Sequence, residues 1–474
     1  MLDRIKKFLN NKNEKAFFVI AFTVFCLMLT SILKTIDDTD LYYFISNGEY
    51  ILNNGIPYTN PFITTPNVPI VLQNWLYCVL CALANRFGEV GIIILHTIFV
   101  FGVVAIVFYF IRDVKSWTFK LLYFFIFAYC FKFWTIRPQM LTFILCMLEA
   151  IGIEKYDATE NKKWLLFIPL TILVEINVHA SYWIMHYIII LPYVVPFFKD
   201  VTENKNIKGK KKLLNILLFA GIGVVMLFIN PYGVNSITYV FNALTSSTFD
   251  IVTNIGEQQS AAMSSLFGIL IIIMIVWFVI ALCNKKIDSV TFWMFSGFTL
   301  LVILKLKFFS FFGLGVLYML RCFKNPSKLK VQNGVAILIV IVALICKSDI
   351  FSFNVTDTEF EHLEEMGEYL DEHEDKNVSV IASFQLENYF EYKGYKVYYD
   401  ARPELYTEDI LKTVNRFYAL DGSTSSQRKE LYDEIEIDYA VVTTNSQVYE
   451  DLENNENYTF ILENEYFAMF RKDD

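Results

Sequence analysis

Apolar runs long enough to cross a bilayer recur along the first 350 residues, and the gaps between them alternate between lysine-rich and lysine-poor. Lys and Arg gather at 4–15, 112–120, 155–163, 199–212, 285–286 and 321–330. Cytoplasmic loops collect Lys and Arg, so these gaps are assigned to the inside. The intervening gaps hold Asp37, Asp38 and Asp40, then Arg137, then Asn177 and His179, then 231–265 with neither Lys nor Arg. They face outward.

The runs predict helical spans at 16–36, 90–111, 117–136, 138–154, 164–178, 182–198, 213–230, 266–283, 289–304, 308–321 and 332–347, about eleven crossings. The apolar stretch 72–87 is short and holds Gln73 and Asn74. Counting it as a crossing would turn every later lysine-rich gap outward, so it is read as a helix lying in or dipping into the outer leaflet. The 35 residues 164–198 sit between two basic flanks and must hold an even number of crossings, with their turn near 175–182. Leu41, Phe44, Ile45, Ile51 and Leu52 recur at near-helical spacing with polar Ser46, Asn47 and Glu49 between them, which predicts a helix along the membrane surface. Gly55-Ile56-Pro57 ends it.

Beyond residue 350 the pattern changes to alternating helix and strand. Helices are expected at 357–374, 385–392, 408–418 and 425–435, strands at 378–382, 396–399 and 439–443, and a terminal hairpin at 460–470. The fold class expected is an α-helical polytopic membrane protein with a small C-terminal α/β domain outside the membrane. The boundaries are 1–350 for the membrane domain, with an external loop at 37–89, and 351–474 for the tail.

Composition supports that division. The chain is 55% hydrophobic and 17% aromatic with mean hydropathy +0.42, too apolar for a soluble fold of 474 residues. Residues 351–474 carry 10 Lys/Arg against 30 Asp/Glu, net -20, which leaves residues 1–350 at net +11. So acidic a domain is not what the anionic cytoplasmic leaflet holds. All eight cysteines lie between 26 and 346, so the tail has no disulfide to report its compartment. Cys78 and Cys81 read as packing residues within an apolar stretch. Residues 16–33 follow a basic N-terminus with no small-residue cleavage pattern, and read as a retained signal anchor.

Several outward residues have the chemistry of a site. Asp38 and Asp40 lie where the first span ends; they suit a general base or a pair of hard oxygen ligands for a divalent cation, and equally a plain polar helix exit. Arg137 precedes Pro138 and reads either as an interfacial anchor or as a planar fork for phosphate oxygens. Asn177 and His179 at a tight turn could orient a substrate or be satisfied polar groups. Asn230-Pro231-Tyr232-Gly233 marks a turn, Glu257 is the sole Glu of 231–265, and Lys305 and Lys307 break the positive-inside pattern. A buried phosphate partner would explain those lysines. In the tail, Asp400 and Arg402 read first as a structural ion pair. There is no phosphate-cradling glycine loop, no zinc ligand spacing and no basic aromatic stripe, so ATP chemistry and nucleic acid are not expected.

Asp38-Thr39-Asp40-Leu41-Tyr42-Tyr43, Gly48-Glu49, Gly55-Ile56-Pro57, Asn60-Pro61-Phe62 and Trp75-Leu76 together resemble the first external loop of bacterial GT-C type membrane glycosyltransferases, in an uncharacterised branch. The similarity continues through Arg137-Pro138, Asn177-Val178-His179, Asn230-Pro231-Tyr232-Gly233, Glu257 and the segment from Asp400 to Tyr406. The count of crossings puts the N-terminus in the cytoplasm and the C-terminal domain outside, and the resemblance implies a many-helix fold in the bacterial plasma membrane with a catalytic carboxylate in the first external loop. It implies inverting transfer from a polyprenyl-phosphate sugar to an envelope glycan, lipid or protein. Asp40 is then the leading base with Asp38 close behind, and Arg137, His179 and Lys307 are candidates to neutralise the departing phosphate. Asn177, Glu257 and Trp75 join the substrate-binding candidates. Beside membrane lipid and these substrates no other partner is implied, and the only cofactor left open is a divalent cation, Mg or Mn, on Asp38 and Asp40. The chain departs from the branch at Asn60 and Phe44, where Asp and His are usual, and at Asn74, often acidic. Two rival readings are a transporter or flippase for a lipid-linked glycan, and a non-catalytic envelope scaffold.

Overall fold

The computed structural model describes residues 40–65, 68–114, 117–131, 134–202, 207–245, 266–323, 359–382, 386–400, 402 and 405–473. The expected spans at 16–36 and 332–347 lie outside the described residues.

Up to residue 323 the described chain is helical. α1 (Asp40–Asn54) and α2 (Trp75–Asn85) pack on each other; α3 (Gly88–Phe110), α4 (Trp117–Cys130) and α5 (Gln139–Thr159) follow. A 3-10 turn leads to α6 (Phe167–Val178), and another, Ala180–Tyr182, joins it to α7 (Trp183–Thr202). Then come α8 (Ile207–Met226), α9 (Val234–Thr245), α10 (Leu266–Cys283), α11 (Ser289–Leu304) and, after a 3-10 turn at Leu306–Phe308, α12 (Phe309–Arg321). α3 alone among the described helices is long and apolar enough to cross a membrane by length and composition. Shorter apolar helices accompany it at Trp75–Asn85, Ala180–Pro196, Phe267–Cys283 and Ser289–Leu304.

The bundle is apolar outside as well as inside. Val90, Ile94, Ile98 and Phe101 are exposed on α3, Leu214, Leu217, Leu218 and Val225 on α8, and Ile269, Ile272, Ile273, Val276 and Ile280 on α10. Contiguous exposed apolar surface on several helices needs a non-aqueous surrounding, and a bilayer supplies one. Cys78 and Cys81 are free and buried in the core, as their setting suggested.

α1 is not a surface helix. Leu41 and Tyr43–Gly48 are buried, between α2 and a helix of the tail. Two of the polar residues that suggested a wet face donate to their own backbone: the Ser46 hydroxyl to the Tyr42 carbonyl at 2.8 Å and the Asn47 amide to that of Tyr43 at 3.0 Å. Such i to i-4 bonds let short polar side chains enter a core. Gly48 is needed there, because a Cβ would stand 2.1 Å from the Cys78 carbonyl oxygen.

The remainder forms α13 (Glu359–His373), β1 (Ser379–Ile381), α14 (Glu387–Lys393), β2 (Lys396–Val397), α15 (Glu408–Phe417), α16 (Ser425–Glu434), β3 (Tyr439–Thr443), α17 (Gln447–Glu453), β4 (Tyr458–Glu463) and β5 (Phe467–Lys472). The sheet order is β2-β1-β3-β5-β4, with β1 parallel to β2 and β3, and β5 antiparallel between β3 and β4. A second hydrophobic core, separate from that of the bundle, fills the space between sheet and helices.

The loop after α1 joins this sheet. Ile63 pairs in parallel with Val397, Thr64 N donates to the Val397 carbonyl at 2.9 Å and Val397 N to the Phe62 carbonyl at 2.9 Å. Ile63 is buried in the tail's core. Asn60 Nδ2 donates to Asp400 Oδ2 at 2.7 Å, and Tyr42 packs on Tyr389 and Tyr392. Asp400 and Arg402 form the expected ion pair, fully inside: Arg402 Nε lies 3.1 Å from both carboxylate oxygens and its guanidinium carbon 4.9 Å from the Tyr43 ring centre. The first loop is therefore clamped between bundle and sheet, which holds the start of α1 in place.

Candidate active site

Asp40 is the first residue of α1, and Arg137 stands just before α5, whose first turn begins with Pro138. The two side chains meet, Arg137 Nη2 lying 3.1 Å from Asp40 Oδ2, with about a quarter of the carboxylate side chain and a fifth of the arginine exposed. The carboxylate nearest the candidate chemistry is thus engaged by a cation, and both keep an open edge.

One turn into α5 is Thr142, fully buried, whose Oγ1 is 3.1 Å from His179 Nδ1. His179 ends α6 and lies in the turn to α7, its ring tilted against that of Tyr182 with centres 4.3 Å apart. Burial first, and then the charge of Lys307, hold its imidazole neutral, its pKa lowered to about 3. Of the three residues expected beside a phosphate, Arg137 and Lys307 carry the formal positive charge. Lys307 is half-buried in the 3-10 turn between α11 and α12, with Nζ 5.6 Å from the Phe308 ring centre.

Trp75 and Asn177, both substrate-binding candidates, come together. Trp75 Nε1 donates to Asn177 Oδ1 at 3.1 Å, and Asn177 Nδ2 donates to the carbonyls of Leu173 at 2.8 Å and Ile229 at 2.9 Å. This amide braces α2, α6 and the end of α8. Next to it the Asn230 amide closes its own turn, donating to Leu227 and Gly233 carbonyls, and Tyr232 OH donates to the Pro57 carbonyl at 2.8 Å. Asn60 holds Asp400, Phe44 packs edge-on to Tyr77, and Asn74 accepts from Tyr43 OH at 3.4 Å. Asp38 and Glu257 lie outside the described residues.

Among the described residues no three His, Cys, Asp or Glu side chains gather as a metal ion would require, and Asp40 already faces a guanidinium. The described residues do not by themselves assemble a divalent-cation site.

The sequence reading did not single out His186 or Thr142. His186 is fully buried on α7 with Nδ1 bonded to Glu149 Oε2 and Nε2 3.5 Å from Glu175 Oε2; Thr142 Oγ1 donates to Glu175 Oε1 at 2.7 Å and Thr171 Oγ1 to Glu149 Oε2 at 3.2 Å. The signal was present in the spacing: Thr171, Glu175 and His179 recur every four residues, and Thr142 and Glu149 are seven apart, so each set shares a helix face.

Among solved structures the chain superposes on the oligosaccharyltransferase of Archaeoglobus fulgidus. The fold is alike. Against its apo form the TM-score is 0.51 at 11% identity, covering 90% of this chain and 69% of that one. Against the form tethered to an acceptor peptide containing the NVT sequon, it is 0.54 at 10% identity, covering 92% and 70%. No family model and no curated protein matches the chain by sequence. At such identity the likeness shows the fold alone, a GT-C type fold shared with that oligosaccharyltransferase.

Proposed function

We propose that this protein is a membrane glycosyltransferase that moves a sugar from a polyprenyl-phosphate donor to an envelope acceptor on the outer face of the bacterial plasma membrane. The observation that carries the reading is the partly exposed Asp40–Arg137 pair in a fold shared with an oligosaccharyltransferase. A carboxylate and a guanidinium held together suit a reaction that takes up a proton on one side and releases a phosphate on the other.

In this mechanism the donor phosphate draws Arg137 away from Asp40, since a guanidinium binds phosphate oxygens bidentately as readily as a carboxylate. The freed carboxylate accepts the proton of an acceptor hydroxyl as its oxygen attacks the anomeric carbon. The bond from that carbon to the phosphate oxygen breaks with its electron pair, and Arg137 and Lys307 stabilise the polyprenyl phosphate that leaves. Attack opposite the leaving group inverts the anomeric centre. Multi-pass topology with about eleven crossings and an outward C-terminal domain belongs to the same proposal, as does any divalent cation on Asp38 and Asp40.

The test is donor binding and turnover measured separately in purified protein. Asp40→Asn should bind a polyprenyl-phosphate sugar and fail to transfer it, whereas Arg137→Gln should lose donor affinity as well as rate. Full activity in both Asp38→Asn and Asp40→Asn would refute the base assignment. The Glu149–His186–Glu175 cluster inside the bundle is what favours transport as a second reading, because intramembrane ionisable groups mark proton relays in transporters. Proton-driven movement of a lipid-linked glycan across proteoliposomes, with no sugar transfer, would establish it.

A further inference from the structure

The polar groups on α5, α6 and α7 form a directed chain that ends at His179. His186 Nδ1 is hydrogen-bonded to Glu149 Oε2, and its Nε2 lies 3.5 Å from Glu175 Oε2, an approach that makes no hydrogen bond. Glu175 Oε1 is 2.7 Å from Thr142 Oγ1, so Thr142 gives its one hydroxyl proton to Glu175. The other acceptor in its reach, the Pro138 carbonyl at 3.3 Å, already receives the Thr142 backbone N–H at 3.0 Å. Thr142 Oγ1 is left with lone pairs for His179, whose Nδ1 must then carry the ring hydrogen.

The consequence lies on the far side of the ring. Nε2 of His179 holds a lone pair, and among the described residues no hydrogen-bond partner meets it. The charge of Lys307 acts on the same ring, which disfavours a second cation there and favours a neutral donor. A sugar hydroxyl is such a donor. We propose that Glu175 and Thr142 are positioning residues that lock His179 as the Nδ1–H tautomer, so that its Nε2 accepts a hydrogen bond from a hydroxyl of the transferred sugar or of the acceptor. The inference rests on the glycosyl-transfer reading and changes the role of His179 within it, from phosphate partner to hydroxyl acceptor.

The tautomer can be read without any activity. The chain has five histidines, so ¹⁵N-histidine labelling of the full-length protein in detergent, with His179→Gln for assignment, isolates the His179 ring. The expected result is hydrogen on Nδ1 in the wild type and in Thr142→Ser, and loss of that preference in Thr142→Val. In parallel, transfer should fall roughly 10- to 100-fold in Thr142→Val, the usual range for removing a group that orients a site histidine, and recover in Thr142→Ser. A rise in KM for the lipid donor alone would place the hydroxyl on the transferred sugar; a rise for the acceptor alone would place it there. Should Thr142→Val not fold, Glu175→Gln serves, since its amide can donate to Thr142 and is expected to weaken the same preference. Hydrogen on Nε2 in the wild type, or an unchanged tautomer and rate in Thr142→Val, would overturn the proposal. The expected tautomers in a protein that transfers sugar from no donor would overturn the glycosyl-transfer reading and the hydroxyl assignment with it, while leaving the hydrogen-bonded chain intact.

Discussion

Arg402→Met should release the first loop from the sheet while leaving both folded. Arg402 is the cation beside two carboxylates: Asp400, fully buried in the pair, and Glu391, whose carboxyl is pushed well above the usual range by burial and then by the Asp400 charge. Removing the guanidinium leaves Asp400 with the Asn60 amide and the Arg402 backbone N–H as its remaining donors. Breaking a buried pair on one side costs about 3–5 kcal/mol. At about 1.4 kcal/mol per tenfold, the undocked population should rise roughly 10²-fold to several thousandfold. The backbone bonds at stake are Thr64 N to the Val397 carbonyl and Val397 N to the Phe62 carbonyl, so hydrogen exchange of those two amides is the assay. Adding Asp400→Asn removes the stranded charge and should slow the exchange again. Unchanged exchange at Thr64 and Val397 in Arg402→Met would refute the clamp.

Gly48→Val should separate α1 from α2, because even a Cβ would stand 2.1 Å from the Cys78 carbonyl; overpacking of this kind costs about 1–3 kcal/mol and should lower the melting temperature of the purified protein. Asp371 pays a small desolvation penalty, yet hydrogen bonds from Lys376, Lys393 and Tyr395 hold its carboxyl well below the ordinary range. Its folded pKa is depressed, so its contribution is present above the unfolded value of about 4 and lost as pH falls below it. Asp371→Asn should therefore destabilise the tail at pH 7 and make little difference in strong acid, in thermal melts across that window. Asn177→Leu strips the acceptor from Trp75 and the donors from the Leu173 and Ile229 carbonyls, and should lower stability by about 1–3 kcal/mol, seen as faster proteolysis between α8 and α9.

Much of the helical order is legible because an apolar run and its end signals define a helix locally. α10 and α11 occupy the residues expected of them, and β3 matches the strand expected at 439–443. Asp288 caps α11 by accepting from Thr291 N, the kind of boundary a sequence displays. α17 was missed since Gln447–Glu453 is short and polar; its only mark is Ser446, which accepts from Tyr449 N at 3.1 Å. Which face a helix buries was less legible. α1 looked wet because nothing in Ser46 and Asn47 says that their hydrogen bonds turn back on the helix.

Pairings across the chain were the least legible. Asp40 and Arg137 were both singled out, but their contact depends on how α1 and α5 pack, as does that of Asn60 with Asp400, 340 residues away. Glu149 and Glu175 are charges within apolar runs of the sequence; that His186 lies between them depends on three helices in register. Two of the named residues, Asp38 and Glu257, fall outside the described part of the chain.

The central claim is transfer of sugar from a lipid phosphate, and its most direct test is a panel of radiolabelled polyprenyl-phosphate sugars given to purified protein with an extract of envelope acceptors, beside Asp40→Asn. The account predicts label in a polymer, lipid or protein acceptor with at least one donor, abolished in Asp40→Asn. No transfer from any donor by well-folded protein, or equal transfer by the variant, would contradict it.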